Sequence, residues 1–236
     1  MSRVAILLDG GFVKKKLVAL NSKTRRVSGD AGSPPEKFLL DTVFPTAADV
    51  VALVRRIMAD DRVRGSELLR AYYYDGPPLA GSELNPLSGK PYSFSGSYHS
   101  LNKRLQDSLA RTPDFALRKG ETVFRGWSLR TDVLAEIATS PRPLTASDLA
   151  PNVEQKGVDL RIGLDVAMLS VKRTVDRIVL VTGDSDMIPA MKLARREGLW
   201  VYLDTMGHGV RSSMIEHAAY VFNSSAPPAV ANQPAG

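Results

Sequence analysis

Apolar residues along the chain fall into short unbroken runs that end on an acid, separated by stretches of helical spacing. Residues 3–9 (RVAILLD) form such a run, closed by Asp9 and two glycines, as expected of a strand buried on both faces. A helix is predicted over 12–20. The segment 21–35 is polar, basic and rich in Gly, Ser and Pro, and so predicts a loop. Thr46 is placed to cap a helix reaching about residue 60, in which Val50, Val51, Leu53, Val54, Ile57 and Met58 recur at helical spacing. Residues 67–74 (ELLRAYYY) predict a second strand with alternate rings buried, ending at Asp75.

Farther along, 76–98 lacks periodicity and predicts an excursion, followed by a basic helix over about 100–110. A third strand is predicted over 115–127, with an irregular or hairpin extension at Lys119 and Gly120. A Pro-containing insertion is expected over 140–152 and a helix over 158–171. The strand signal is clearest at 177–182 (RIVLVT). Pro189 suits the first turn of a helix ending near Gly198, and 200–203 predicts a last strand. Strands alternating with helices imply a three-layer α/β fold, a mostly parallel sheet with helices on both faces. The expected organisation is one domain over 1–225, with insertions at about 76–112 and 140–152 and a disordered tail over 226–236. Trp127 and Trp200 are expected in the core.

Composition narrows the chemistry. The chain has no cysteine, which excludes disulfides, thiolate metal sites and a cysteine nucleophile. Its three histidines, His99, His208 and His217, show no metal-ligand spacing. Any bound metal is therefore expected on carboxylates, which favours a hard cation such as Mg2+ or Mn2+. The apolar run at 4–8 is too short for a signal or a membrane span, so a soluble, cytoplasmic protein with no membrane partner is expected. An excess of 31 Lys and Arg over 25 Asp and Glu suggests a polyanionic partner without requiring one.

The position of the acids is more informative. Asp9, Asp75, Asp184 and Asp204 each fall at or just past the carboxyl end of a predicted strand, the edge where open α/β sheets bind ligands. VTGDSD (181–186) sets two carboxylates two residues apart before a helix, although one of them could simply cap it. QKGVD (155–159) puts Asp159 in a helical first turn, where an acid is also stabilised by the helix dipole. Asp165, six residues on, points to another face and is the weaker candidate.

Together, LLDGGF (7–12), QKGVD (155–159) and VTGDSDMIP (181–189) followed by EGLWV (197–201) resemble the NYN domain, the LabA-like branch of the PIN-like nuclease superfamily. The resemblance touches both ends of 3–222 and leaves the two insertions unaccounted for. It implies a Rossmann-like, PIN-like sheet and an acidic cluster binding magnesium or manganese for ribonuclease chemistry. Carried over by motif, that cluster is Asp9, Asp159, Asp184 and Asp186, in both catalytic and metal-binding roles. The family's first motif often carries an Asn shortly after its acid, whereas Gly10, Gly11, Phe12, Val13 and Lys14 follow here.

Four convergent carboxylates would repel one another unless a divalent cation neutralised them, and such a cation can activate water against phosphorus. Ser185 and Lys156 are candidates for contact with the substrate phosphate, against a turn hydrogen bond for the first and plain solvent exposure for the second. The stretch containing Lys14, Lys15, Lys16, Lys23, Arg25 and Arg26 holds no acid and could gather an RNA backbone, or be only a solvated face. Tyr98 and Lys103, in an excursion mixing rings with cations, could contact single-stranded or structured RNA, or belong to a satellite core or a homo-oligomer contact. A metal-dependent ribonuclease leads. The alternative is a non-catalytic PIN-like module binding RNA or protein. A haloacid-dehalogenase-type phosphotransferase ranks last, because Gly11 stands where that chemistry needs a second acid.

Overall fold

The computed structural model describes residues 1–28 and 40–225. Its centre is a six-stranded sheet built from β1 (Arg3–Asp9), β2 (Glu67–Asp75), β5 (Phe115–Lys119), β8 (Arg177–Val181), β9 (Trp200–Asp204) and β10 (Tyr220–Phe222), with spatial order β10-β9-β8-β1-β2-β5. Every neighbouring pair is parallel. Both faces are covered, as parallel sheets require.

The period-2 alternation of β1 divides the core. Val4, Ile6 and Leu8 pack under α1 (Gly10–Ser28), α3 (Ala47–Ala59) and α4 (Ser97–Leu109), whereas Ala5 and Leu7 pack against α6 (Val158–Val171) and α7 (Ile188–Arg196). Adjacent tyrosines divide likewise: Tyr73 enters the first layer and Tyr74 the second, both fully buried, with Tyr72 half-buried beside Tyr74. Thr46 and Asp49 form a reciprocal capping box at the start of α3, as the sequence signals. A short α2 (Leu40–Val43) precedes it, and α8 (Ser212–Glu216) lies between β9 and β10.

Outside the sheet stand two antiparallel pairs. β3 (Ser82–Leu84) pairs with β4 (Pro91–Ser93), and β6 (Glu121–Leu129) pairs with β7 (Leu149–Lys156). An aromatic cluster joins them: Tyr92 meets Trp127 and Phe94 meets Phe124, each with ring centroids 5.4 Å apart. The helix α5 (Thr131–Thr139) lies between β6 and β7 and buries only Val133.

Several expectations require correction. Residues 21–28 continue α1 rather than forming a loop, so Lys23, Arg25 and Arg26 lie on helical backbone. The single strand expected over 115–127 is two strands in different sheets, divided at Gly120. A Cβ there would come within 2.6 Å of the Lys156 carbonyl oxygen, so only glycine admits the handover. The insertion expected over 140–152 contains the start of β7, whose Pro and polar residues suit an exposed ribbon paired on one edge. The segment 76–98 is ordered by the β3–β4 hairpin, and β10 rather than β9 ends the sheet. Trp200 is 58% exposed, and Trp127 lies in the aromatic cluster rather than the main core. The tail expectation for 226–236 falls outside the described residues.

Candidate functional site

The chain leaves β1 for β2 on one side and later places β8 on the other. The switch point of the sheet therefore lies between β1 and β8, at their carboxyl ends. Open parallel sheets bind ligands in that crevice, and Asp9 and Asp184 flank it.

Asp9 is the last residue of β1. Its Oδ1 accepts the Phe12 backbone N–H at 3.1 Å and its Oδ2 accepts the Thr182 hydroxyl at 3.1 Å. The same Thr182 oxygen accepts the Asp184 N–H at 3.1 Å, so one hydroxyl ties the loop after β8 to the acid of β1. Asp184 then caps a 3-10 turn over Ser185–Met187, its Oδ1 accepting the Asp186 N–H at 2.9 Å. The capping role open in the sequence is thus real. Among the described residues the other Asp184 carboxylate oxygen has no hydrogen-bond partner, and Asp186 is exposed.

Two glycines allow this approach of chains. A Cβ on Gly10 would stand 2.5 Å from the Tyr74 carbonyl oxygen, and one on Gly183 would stand 2.9 Å from the Phe12 ring. Gly157, with φ +69°, turns the end of β7 into α6 and so brings Asp159 to the same edge.

The charges interact. Burial is the largest influence on Asp9 and raises its carboxyl above the usual range; the bonds from Phe12 and Thr182 pull it down, and Asp159 and Asp184 push it up. Asp159 is raised first by loss of solvent, then by Asp184 and Asp186. No salt bridge to any of the four appears among the described residues. The four acids predicted from sequence therefore share one field. Among the described residues, however, no three Asp, Glu or His side chains are gathered closely enough to hold an ion. The donor set is hard oxygen, suited to Mg2+ or Mn2+ in its chemistry. Convergence to ligand distance requires side-chain adjustment.

The remaining acids at this edge have structural partners. Asp75, fully buried, receives Lys14 Nζ at 2.7 Å, Gln106 Nε2 at 3.0 Å and Gln155 Nε2 at 3.0 Å. Buried Asp204 accepts the backbone N–H of Met206 and of Ser224 through Oδ1. Asp165 pairs with Arg118 at 3.1 Å and accepts the Tyr74 hydroxyl at 2.8 Å, which raises the Tyr74 phenol strongly, burial being the larger cause.

The predicted substrate residues are scattered. Lys14 is corrected outright: it is buried, and its charge is taken up by Asp75 and Asn102 rather than offered to a polyanion. Lys103 is exposed and bound to Asp107 at 2.7 Å on the surface of α4. Lys15 is exposed one residue farther along α1, Lys156 is exposed just before Gly157, and Ser185 is half-buried in the capped turn. Arg25 and Arg26 lie near the end of α1, beyond the part whose side chains are described. Tyr98 is 53% exposed and lines a groove of about 840 Å3 that begins at Gly11. Two residues absent from the expected site are Thr182, which links Asp9 to Asp184, and Gln155, whose Oε1 would lie 3.9 Å from a Cβ on Gly11 while Asp9 Oδ1 would lie 3.5 Å from it. The signal for Thr182 was a polar residue ending an otherwise apolar strand.

Comparison with known proteins gives a family match to part of the chain. The family model of the NYN domain matches residues 120–224, so this segment is an NYN domain, of the PIN-like superfamily of nuclease folds. The match contains Asp159, Asp184 and Asp186, whereas Asp9 lies before it. No curated protein matches the chain. A crystal structure of a protein of unknown function from Vibrio parahaemolyticus is similar at 15% identity and TM-score 0.44, covering 93% of this chain and 91% of that one. No helix among the described residues is long and apolar enough to cross a membrane.

Proposed function

We propose that this protein is a metal-dependent ribonuclease that hydrolyses RNA phosphodiester bonds at the crevice between β1 and β8, with Asp9, Asp159, Asp184 and Asp186 holding the cation. The observation that carries it is the mutual field of acids from three separate elements at the switch point, uncompensated by any described cation, within a domain whose family is of nuclease type. Carboxylates that raise one another's proton affinity are the arrangement a divalent ion relieves.

A bound Mg2+ or Mn2+ supplies Lewis-acid stabilisation of charge on the phosphodiester and its leaving oxygen. The chain's own part is positional. Thr182 and the Phe12 N–H fix both oxygens of Asp9, and the Asp186 N–H fixes one oxygen of Asp184. Lys156, three residues before Asp159, and Lys15, six residues after Asp9, are both exposed and provide positive charge for the strand, and Ser185 offers a hydroxyl from the capped turn.

Cleavage of a labelled RNA oligonucleotide by purified protein tests the proposal. Wild type should cut in Mg2+ or Mn2+ and not in EDTA, and Asp184→Asn should lower the rate by about 100-fold or more. Undiminished cleavage by Asp184→Asn and by Asp9→Asn would reject it. The open spacing of the acids favours a second reading, a module that binds RNA or a protein without cutting. Tight RNA binding without product in either metal would select that one.

A further inference from the structure

We infer that the groove built by the 77–99 excursion is a stacking site for an unpaired nucleobase next to the scissile phosphate, which makes the enzyme selective for single-stranded RNA. This inference rests on the ribonuclease reading above.

The groove, about 840 Å3, lies within the size range of ligand sites. Aromatic rings from different elements stand in its mixed lining: Tyr92 from β4, Phe94 just after it, and Tyr98 from α4, with Pro77 and Pro78 after β2. Tyr98 is braced edge-on by buried Phe44 at 5.6 Å, and Phe94 is braced by Phe124 at 5.4 Å. Tyr92 and Tyr98 are nevertheless 44% and 53% exposed, so ring surface is held rigidly yet left uncovered. Rings fixed in this way suit bases, which offer a π-face regardless of sequence.

The occupant is indicated by what stands at the groove's end. Gly11 and Gln155 line it, and a Cβ on Gly11 would lie 3.5 Å from Asp9 Oδ1, so this end of the groove lies beside Asp9. Gln155 donates its Nε2 to Asp75, which leaves Oε1 facing that end as an acceptor for a base edge. Lys15, exposed on the groove lining, supplies positive charge for the backbone between the base and the acids. A duplex keeps its bases stacked inside and cannot offer one to these rings.

The test uses full-length Asp184→Asn protein in Mg2+, so that binding is read without cleavage, and an oligoribonucleotide bearing one 2-aminopurine. The single strand should bind at least about 10-fold more tightly than its duplex, with a change in 2-aminopurine fluorescence. Tyr98→Ala or Phe94→Ala should weaken binding about 5- to 100-fold, whereas Tyr98→Phe retains it. Melting curves of each variant verify folding. Equal affinity for duplex and single strand, unchanged affinity in both alanine variants, or no binding of either RNA would overturn the inference. A dimer in light scattering that Tyr98→Ala dissociates, without RNA binding, would overturn it in favour of a second copy in the groove. Cleavage by wild type is measured separately. If it fails while the stacking signal persists, the ribonuclease reading falls and the groove assignment stands.

Discussion

At Asp159 the site and the stability of the fold are opposed. Its carboxyl is held above the ordinary value of 3.8 in the folded chain by loss of solvent and by Asp184 and Asp186, so the folded state binds its proton more tightly than the unfolded state does. Stability from that proton is fully present below the unfolded pKa and is lost as pH rises through the folded pKa. Asp159 is exposed, so solvent screens much of this repulsion, and the metal-free Asp159→Asn variant should therefore melt only slightly higher than wild type at pH 7. The difference should shrink as pH falls toward 3. Thermal melts across that range check the sign, and a variant melting lower than wild type at pH 7 would contradict it. Lys14 behaves oppositely. Removing it in Lys14→Met leaves Asp75 buried without its cation and should cost about 3–5 kcal/mol in denaturant unfolding.

Between elements, the turn from β1 to α1 is the tightest part of the site. Gly10→Ala would drive a methyl against the Tyr74 carbonyl and the Tyr73 ring, and should destabilise by about 1–3 kcal/mol or more. Gly11→Ala, whose Cβ has ordinary contacts, should be far milder, and a pair of urea melts separates them. The elements that the sequence reveals most clearly are 3–9 and 177–182, whose unbroken apolar signal comes from helices packed on both faces, and the helix over 158–171, where Val158, Ile162, Val166 and Leu169 recur because one face packs on the sheet. The first half of β7 falls in the expected insertion because Leu149–Lys156 is paired with β6 alone and is largely exposed toward its end, so little selects an apolar pattern. The candidate site divides in the same way. Asp9, Asp159 and Asp184 were legible because strand ends and a helix start fix acids in sequence. The burial of Lys14 was not, because its partners Asp75 and Asn102 lie 61 and 88 residues away.

On the scale of the whole molecule, a chain of formal charge +6 carries an acidic crevice at its switch point, so its positive excess must lie around that crevice and elsewhere. If RNA is held by this surrounding charge, affinity should fall linearly in log–log form with salt, with a slope of about −0.7 per phosphate neutralised on a single strand. Lys15→Ala should make that slope shallower by about one contact, measured by anisotropy with the Asp184→Asn protein, and an unchanged slope would remove Lys15 from the RNA path. The most direct measurement of the central claim is anomalous diffraction from crystals soaked in manganese. The account predicts an ion in the crevice between β1 and β8, ligated by Asp9 and Asp184, with Asp159 or Asp186 drawn toward it. Saturating manganese with no anomalous peak there, and the acids still apart, would contradict it.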